Sequence, residues 1–234
     1  IDPDGHRRFL NAFYTGRFAG SFARGLPFQE NPRTGDCRVA GTCAALAGLD
    51  AALEAGEPTL IEHAVRRIIL MHALVYTIGG LPLLYLGDEI AQLNDPGFAS
   101  RSEEAPDNRW VHRPFFSDER LANALEDRAS PEGRVLAALT RLGRLRRHEP
   151  VLGNGRLDLL DLDQRYVLAF ERCADDRQII VIGNLSEHEL QIDTGPLGTG
   201  PWQDVWNDRP FGDDALVALP AYALIILKPA DAAG

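Results

Sequence analysis

The spacing of apolar residues changes character along the chain, and each change predicts a different kind of element. Residues 1–55 have no clean periodicity. An amphipathic helix is expected over 7–14, followed by a polar excursion, Asn31-Pro32-Arg33-Thr34-Gly35-Asp36, with little regular structure. Phe18, Phe22 and Phe28 argue that this stretch is nevertheless ordered. From 58 to 77 the pattern is helical: Pro58 suits a first turn, and Leu60, Ala64, Ile68, Met71 and Val75 recur at three and four residues. Gly79-Gly80 stops the helix. Leu81-Pro82-Leu83-Leu84-Tyr85-Leu86 is then a continuous apolar run, as expected of a parallel strand buried on both faces, and Gly87-Asp88-Glu89 ends it. A second polar excursion, rich in acids and arginine, fills 94–114. Helical spacing returns over 133–147 through Val135, Leu136, Leu139, Leu142 and Leu145.

After Pro150 the period shortens. Alternating or β-rich runs fall at 157–162, 166–171, 178–184, 189–193, 203–206 and 221–227, separated by Gly, Asp, Asn and Pro turns. That rhythm predicts an antiparallel sandwich or barrel and a domain boundary near 150. Within it Trp202 and Trp206 read as core packing rather than as sugar platforms.

Composition narrows the class. The 234 residues are 45% hydrophobic and 25% charged, enough to bury a core. A net charge of -10 opposes a broad nucleic-acid surface. No run of about 18 apolar residues suggests a membrane helix. The basic residues are nearly all arginine, Lys228 being the one lysine, a bias that codon usage explains more simply than recognition. Cys37, Cys43 and Cys173 have no metal-ligand spacing, and their odd number makes a poor disulfide framework, so reduced thiols are expected. No metal cluster and no cofactor motif is visible. The chain opens Ile1-Asp2-Pro3-Asp4, which reads as internal to a longer protein. Compartment is therefore not legible from this end, with the cytoplasm as the default.

The run Gly79-Gly80-Leu81-Pro82-Leu83-Leu84-Tyr85-Leu86-Gly87-Asp88-Glu89 resembles the eighth barrel strand of α-amylase family glycoside hydrolases, family 13. Flanking motifs resemble one branch of that family, the amylosucrases. Arg17-Phe18, Gly20-Ser21-Phe22-Ala23-Arg24-Gly25, Pro27-Phe28-Gln29, Asn31-Pro32 and Thr34-Gly35-Asp36-Cys37-Arg38-Val39 look like their seventh βα loop. Leu93-Asn94-Asp95 and Asp107-Asn108-Arg109-Trp110-Val111-His112-Arg113-Pro114 look like the eighth. The resemblance implies the last portion of a (β/α)8 TIM barrel with long βα loops, followed by a C-terminal antiparallel β-sandwich. Residues 1–57 would be the seventh loop, 58–150 the last helix-strand-loop-helix, and 151–234 the β domain. A barrel of this kind needs about 250 residues. The catalytic carboxylates are accordingly expected upstream of Ile1, in a missing N-terminal barrel portion, and none is assigned here.

By the same resemblance the parent is a retaining enzyme that cleaves sucrose and transfers glucose to an α-1,4-glucan, the fragment alone being inactive. Arg109 is implied to pair with a carboxylate from an earlier strand and close the donor pocket. Arg38 and Gln29 are implied on the acceptor or fructosyl side, with Asp36 in the same loop and Arg7 on a glucan further out. The plainer alternatives stay open: Arg109 as a surface arginine, and Asp36 and Arg38 paired with each other or capping the loop. Asp88 and Glu89, as neighbours on a strand, would point to opposite faces and could not flank one bond. His72 reads as a core histidine, and nothing favours a substrate contact for His6 or His112. A sucrose hydrolase on the same scaffold and a non-catalytic carbohydrate-binding fragment are the rival readings.

Overall fold

The computed structural model describes residues 2–198, 200–212 and 216–230. The chain divides into two compact units, one of Ile1–Ile68 with Leu84–Ala138, the other of Ile69–Leu83 with Leu139–Gly234.

The first unit opens on α1 (Pro3–Tyr14), which begins four residues earlier than its periodicity predicts. The signals are local: Asp2 caps it by accepting from the Asp4 N–H, and Pro3 occupies the first turn. The excursion after it is not irregular throughout. It is a hairpin of β1 (Leu26–Phe28) and β2 (Arg38–Ala40), with Leu26 opposite Ala40 and Phe28 opposite Arg38. The connection folds back on itself: Asn31 N–H donates to Asp36 O at 2.7 Å and Gly35 N–H to Asn31 O at 2.8 Å. Two short helices follow, α2 (Cys43–Leu46), capped by Thr42, and α3 (Leu49–Ala55), held between Gly48 and Gly56, both at positive φ. Further along the unit come three 3-10 turns, Asp88–Ile90, Pro96–Ser100 and Asn108–His112, and α5 (Asp118–Glu126). Ala40, Phe98 and Val111 form a small core with Leu26, Phe28 and Trp110 against it, seating the last of these turns on the hairpin.

Helix α4 (Pro58–Thr77) has the predicted bounds, but its buried face is not the predicted stripe. Ala64 and Ile68 are buried, together with Val65, Leu70 and Ala73, whereas Leu60, Met71 and Val75 are exposed. A helix with apolar residues on more than one side has more than one candidate face, and spacing alone does not choose between them. The run 81–86 departs from expectation more sharply. It forms no strand, and Leu81, Leu83 and Leu86 are 91%, 88% and 70% exposed. A strand is defined by the partners that satisfy its backbone, and every pairing among the described residues is antiparallel and lies elsewhere.

The second unit is built on a six-stranded antiparallel sheet. The strands are β3 (Arg156–Leu160), β4 (Val167–Ala174), β5 (Arg177–Asn184), β7 (Trp202–Asp204), β8 (Arg209–Phe211) and β10 (Leu224–Pro229), in the order β3-β4-β5-β10-β7-β8. A separate ribbon pairs β6 (Leu190–Asp193) with β9 (Leu216–Leu219). Alternation sorts the side chains to two faces. Phe170, Ile179, Val181, Leu224 and Ile226 meet helical residues Leu70, Ala73, Leu142, Val151 and Leu152. Ala169, Ile180, Ile182, Ile225 and Leu227 meet Ile192 and Leu219 of the ribbon, with Leu197 and Phe211. The expected sandwich is therefore lopsided: one large sheet with helices on one face and two short strands on the other. Leu142 comes from α6 (Pro131–His148) and Val151 and Leu152 from α7 (Val151–Asn154).

The end of α4 is fastened within this unit by two arginines. Arg146 donates to Tyr76 O at 2.5 Å and to Gly80 O at 2.5 Å, and Arg172 on β4, 3% exposed, donates to Ile78 O and, at 2.6 Å, to Gly155 O. Burial and the neighbouring Arg146 charge push the Arg172 guanidinium below its usual value.

Candidate functional site

The 3-10 turn at 108–112 exists because Asp107 caps it, accepting from the Arg109 N–H at 3.0 Å. The same carboxylate then takes the arginine's side chain. Arg109 Nε lies 3.0 Å from both carboxylate oxygens and Nη2 lies 2.6 Å from Oδ2. A two-pronged, charge-assisted contact of this kind fixes the plane of the guanidinium. It also holds the Asp107 carboxyl down at about 2, the Arg109 side chain being the largest cause and its backbone N–H the next. The other side of the guanidinium rests on an aromatic face, Arg109 Cζ lying 4.7 Å from the Phe28 ring centroid. Asn108 ties turn to hairpin by donating to Pro27 O at 2.7 Å, across 81 residues of sequence.

Phe28 faces Arg38 across the hairpin, and Gln29 follows it at φ 52, a left-handed conformation that turns the chain out of β1. Arg109 thus rests on Phe28, which Arg38 faces across the hairpin, so these three come from two excursions, while Gln29 is exposed at the end of β1. Asp36 and Arg7 form a second group. Asp36 accepts from Asn11 at 2.8 Å and from Arg7 at 3.3 Å, and these contacts, Asn11 first, hold its carboxyl below the usual range. Asp36 pairs with helix α1, not with Arg38. Arg7, Asp36, Arg8, Asn31 and Arg33 line an open cavity of about 470 Å³.

Asp88 and Glu89 sit on a 3-10 turn, so the reasoning that strand neighbours face apart does not apply to them. Glu89 is engaged locally, accepting from the Gly87 N–H at 2.8 Å. His72 is buried in α4. His112 is pushed below the usual histidine value by burial, its Nδ1 without a hydrogen-bond partner among the described residues. Trp202 and Trp206 pack against opposite faces of the large sheet, and Arg141 covers the Trp206 ring at 5.2 Å. All three cysteines are free. Among the described residues no group of three or more His, Cys, Asp or Glu is placed to hold a metal ion, and no helix is long and apolar enough to cross a membrane.

Three residues that organise the site were not singled out for these roles by the sequence. Asn94 accepts from the Thr42 N–H at 2.9 Å and donates to Arg24 O at 2.6 Å, joining the two excursions. Asp50, in the first turn of α3, has a buried Oδ1 with no hydrogen-bond partner among the described residues; burial lifts its carboxyl to about 6, opposed chiefly by a bond from the Asn94 backbone N–H. Phe28 was marked for order, not as the platform under Arg109. Asn94 stood in a quoted motif, but contact across 52 and 70 residues leaves no local signal.

No protein-family model matches the chain. It is 27% identical over 195 residues to a trehalose synthase from Thermus thermophilus, covering 71% of this chain and 20% of that relative. Its fold is similar to AmyP solved in complex with maltose, with a TM-score of 0.59 and 16% identity over 73% of this chain and 36% of the other. It is also similar to the trehalulose synthase MutB, with a TM-score of 0.53 and 17% identity over 70% of this chain and 38% of the other. The relative and these neighbours are α-amylase family enzymes, and such amylases combine a TIM barrel with a C-terminal sheet domain, with which the six-stranded sheet is consistent. The chain spans one fifth of the length of the curated relative it matches and less than two fifths of these solved structures.

Proposed function

We propose that this chain is the C-terminal part of a retaining α-amylase family glucosyltransferase that takes glucose from sucrose, releases fructose and extends an α-1,4-glucan. The observation that carries this reading is the seating of the turn on the hairpin, with Arg109 over the Phe28 ring and Arg38 opposite Phe28. Sugars offer hydroxyl edges and weakly apolar ring faces, and guanidinium forks and an amide beside an aromatic ring match both. In this reading residues 1–57 form an acceptor-side loop, 58–150 close the barrel, and 151–234 are the attached β domain. Arg109 bounds the donor pocket, Arg38 and Gln29 meet the acceptor or fructosyl side, and Arg7 with Asp36 meets a glucan further out. The nucleophile and acid, about 5–5.5 Å apart in a retaining enzyme, belong to barrel strands outside this chain. The maltose in the AmyP structure supports an α-glucan ligand. Sucrose as donor rests on the amylosucrase-like motifs.

Two measurements on the purified chain test the reading. Incubation with sucrose is expected to release no fructose above a protein-free control. Titration with maltotriose is expected to shift the amide signals of Phe28, Gln29, Arg38 and Arg109 before those of the β domain. Fructose release would place the catalytic pair in this chain, and shifts confined to the β domain would favour a carbohydrate-binding module instead.

A further inference from the structure

We propose that Asn154 is a site of spontaneous deamidation and isoaspartate formation, kept slow by the α7 turn and by Arg172, and that its product undoes part of the fastening at the end of α4. Asn154-Gly155 is the one Asn-Gly pair in the sequence. Glycine has no β-carbon to obstruct the approach of its nitrogen to the preceding side chain, so an unconstrained pair of this kind cyclises readily. The fold requires the glycine: a β-carbon at 155 would lie 2.5 Å from Val151 O and 3.0 Å from Cys173 O. The reaction exchanges ammonia for water. Gly155 N gives up its proton to solvent base and attacks Asn154 Cγ. The Cγ–Nδ2 bond breaks, ammonia leaves with a proton from solvent, and a succinimide closes. Water then opens the ring. Attack at Cγ leaves aspartate; attack at the main-chain carbonyl carbon leaves isoaspartate, whose chain is one methylene longer.

The folded turn blocks the first step. The attacking nitrogen is occupied, its N–H donating to Val151 O at 2.9 Å. Asn154 is the last residue of α7, and a helical backbone there holds Gly155 N away from Cγ. Main-chain oxygens on both sides are gripped as well: Gly155 O accepts from Arg172 at 2.6 Å, and Leu152 O from Arg146 at 3.1 Å. Asn154 therefore reacts only when the turn unwinds and Gly155 leaves Arg172, a local opening rather than global unfolding. All these contacts lie within the second unit. The product then works against the fastening. An extra methylene between 154 and 155 shifts Gly155 O from Arg172, which also holds Ile78 O, and displaces the start of β3, where Arg156 stands opposite Cys173. Aspartate at 154 adds a charge but no length, and leaves that register intact.

The test incubates the intact chain in mildly alkaline buffer, folded or in guanidinium chloride, and follows tryptic peptide 148–156. Mass reports the exchange of ammonia for water, and enzymatic methylation of the isoaspartyl carboxylate reports that product. The folded chain is expected to react about a hundredfold more slowly than the denatured one, by the same factor as the hydrogen-exchange protection of the Gly155 amide. Arg172→Lys keeps the charge but loses the fork, and should speed the folded chain about tenfold. Where that variant fails to fold, Arg146→Lys loosens Leu152 O instead and should also speed the reaction. The isoaspartate-bearing chain should unfold at lower urea than Asn154→Asp. A denatured chain that gains no mass at 154 overturns the site. Equal rates in folded and denatured chain, or a slowing unrelated to Gly155 protection, overturn the gating by the turn. A folded arginine variant that keeps the parent's rate overturns the part given to the arginines. An isoaspartate-bearing chain as stable as Asn154→Asp overturns the effect on the fastening.

Discussion

Replacing Asp50 by asparagine removes a charge from a place that solvates it poorly. The Asp50 carboxyl stands at about 6 instead of 3.8, burial being the largest cause, Glu54 adding to it, and the Asn94 N–H, Arg120 and Arg24 opposing it. A displacement of that size corresponds to about 3 kcal/mol against the ionised folded state, at about 1.4 kcal/mol per pH unit. Asp50 is only partly buried, and screening by solvent reduces the expectation to about 1–2 kcal/mol. The sign follows from the direction of the shift. Above about pH 6 both folded and unfolded states are ionised and the full penalty is present. As pH falls from about 6 toward 3.8 the folded state takes up a proton first, and the penalty is progressively relieved. Asparagine keeps an acceptor for the Asn94 N–H and never ionises; the loss of an acidic group from the first turn of α3 offsets a few tenths of a kcal/mol. Asp50→Asn should therefore stabilise the first unit by about 1–2 kcal/mol at pH 7.5, with the gain vanishing near pH 4. Urea titrations at both values, followed through the Ala52 and Leu53 amide signals, measure it locally. A variant no more stable than the parent at pH 7.5, or a gain equal at both values, would refute the reasoning.

Asn94→Ala should destabilise the same unit by about 2–3 kcal/mol, because it removes two hydrogen bonds and orphans the Thr42 N–H. The same urea titration checks it, and a loss below about 0.5 kcal/mol would mean that water replaces the side chain without penalty. Leu81→Glu with Leu83→Glu should raise the concentration at which the isolated chain first associates and leave its unfolding midpoint unchanged, since both side chains are almost fully exposed. Light scattering and urea unfolding decide this pair, a lowered midpoint showing that the run is packed in solution.

The elements most legible in the sequence are those whose pattern is dictated by burial. Ile179, Ile180, Val181 and Ile182 are buried on alternate faces of the large sheet, and a β-branched run of that kind has few other uses. Strands β8 and β9 escaped notice because they are three and four residues long, and β8 carries Pro210, tolerated there because the strand is an edge of the sheet. The run 81–86 shows the opposite failure. Hydrophobicity reports what a segment avoids, and the partners that would turn it into a strand are not encoded in it. At the site, Asp107 and Arg109 could be read as a unit from their spacing of two. Phe28 could not, since its place under Arg109 depends on the hairpin register. Asp50 looks in sequence like any acid suited to a helix N-terminus, and only the enclosure of its Oδ1 distinguishes it.

The fastening at the end of α4 concentrates its demands on two adjacent positions. Arg146 and Arg172 grip main-chain oxygens of Tyr76, Ile78 and Gly80, and every amino acid carries such an oxygen. The side chain at 78, half exposed, can drift through evolution without loosening the grip. Gly79 and Gly80 cannot: their φ values are 118 and 65, and a β-carbon at 79 would lie 2.6 Å from Arg172 Nη1. Variation at 78 should therefore be tolerated beside a fixed pair of glycines, which makes that pair a marker for the two arginines in any sequence that shares the fastening.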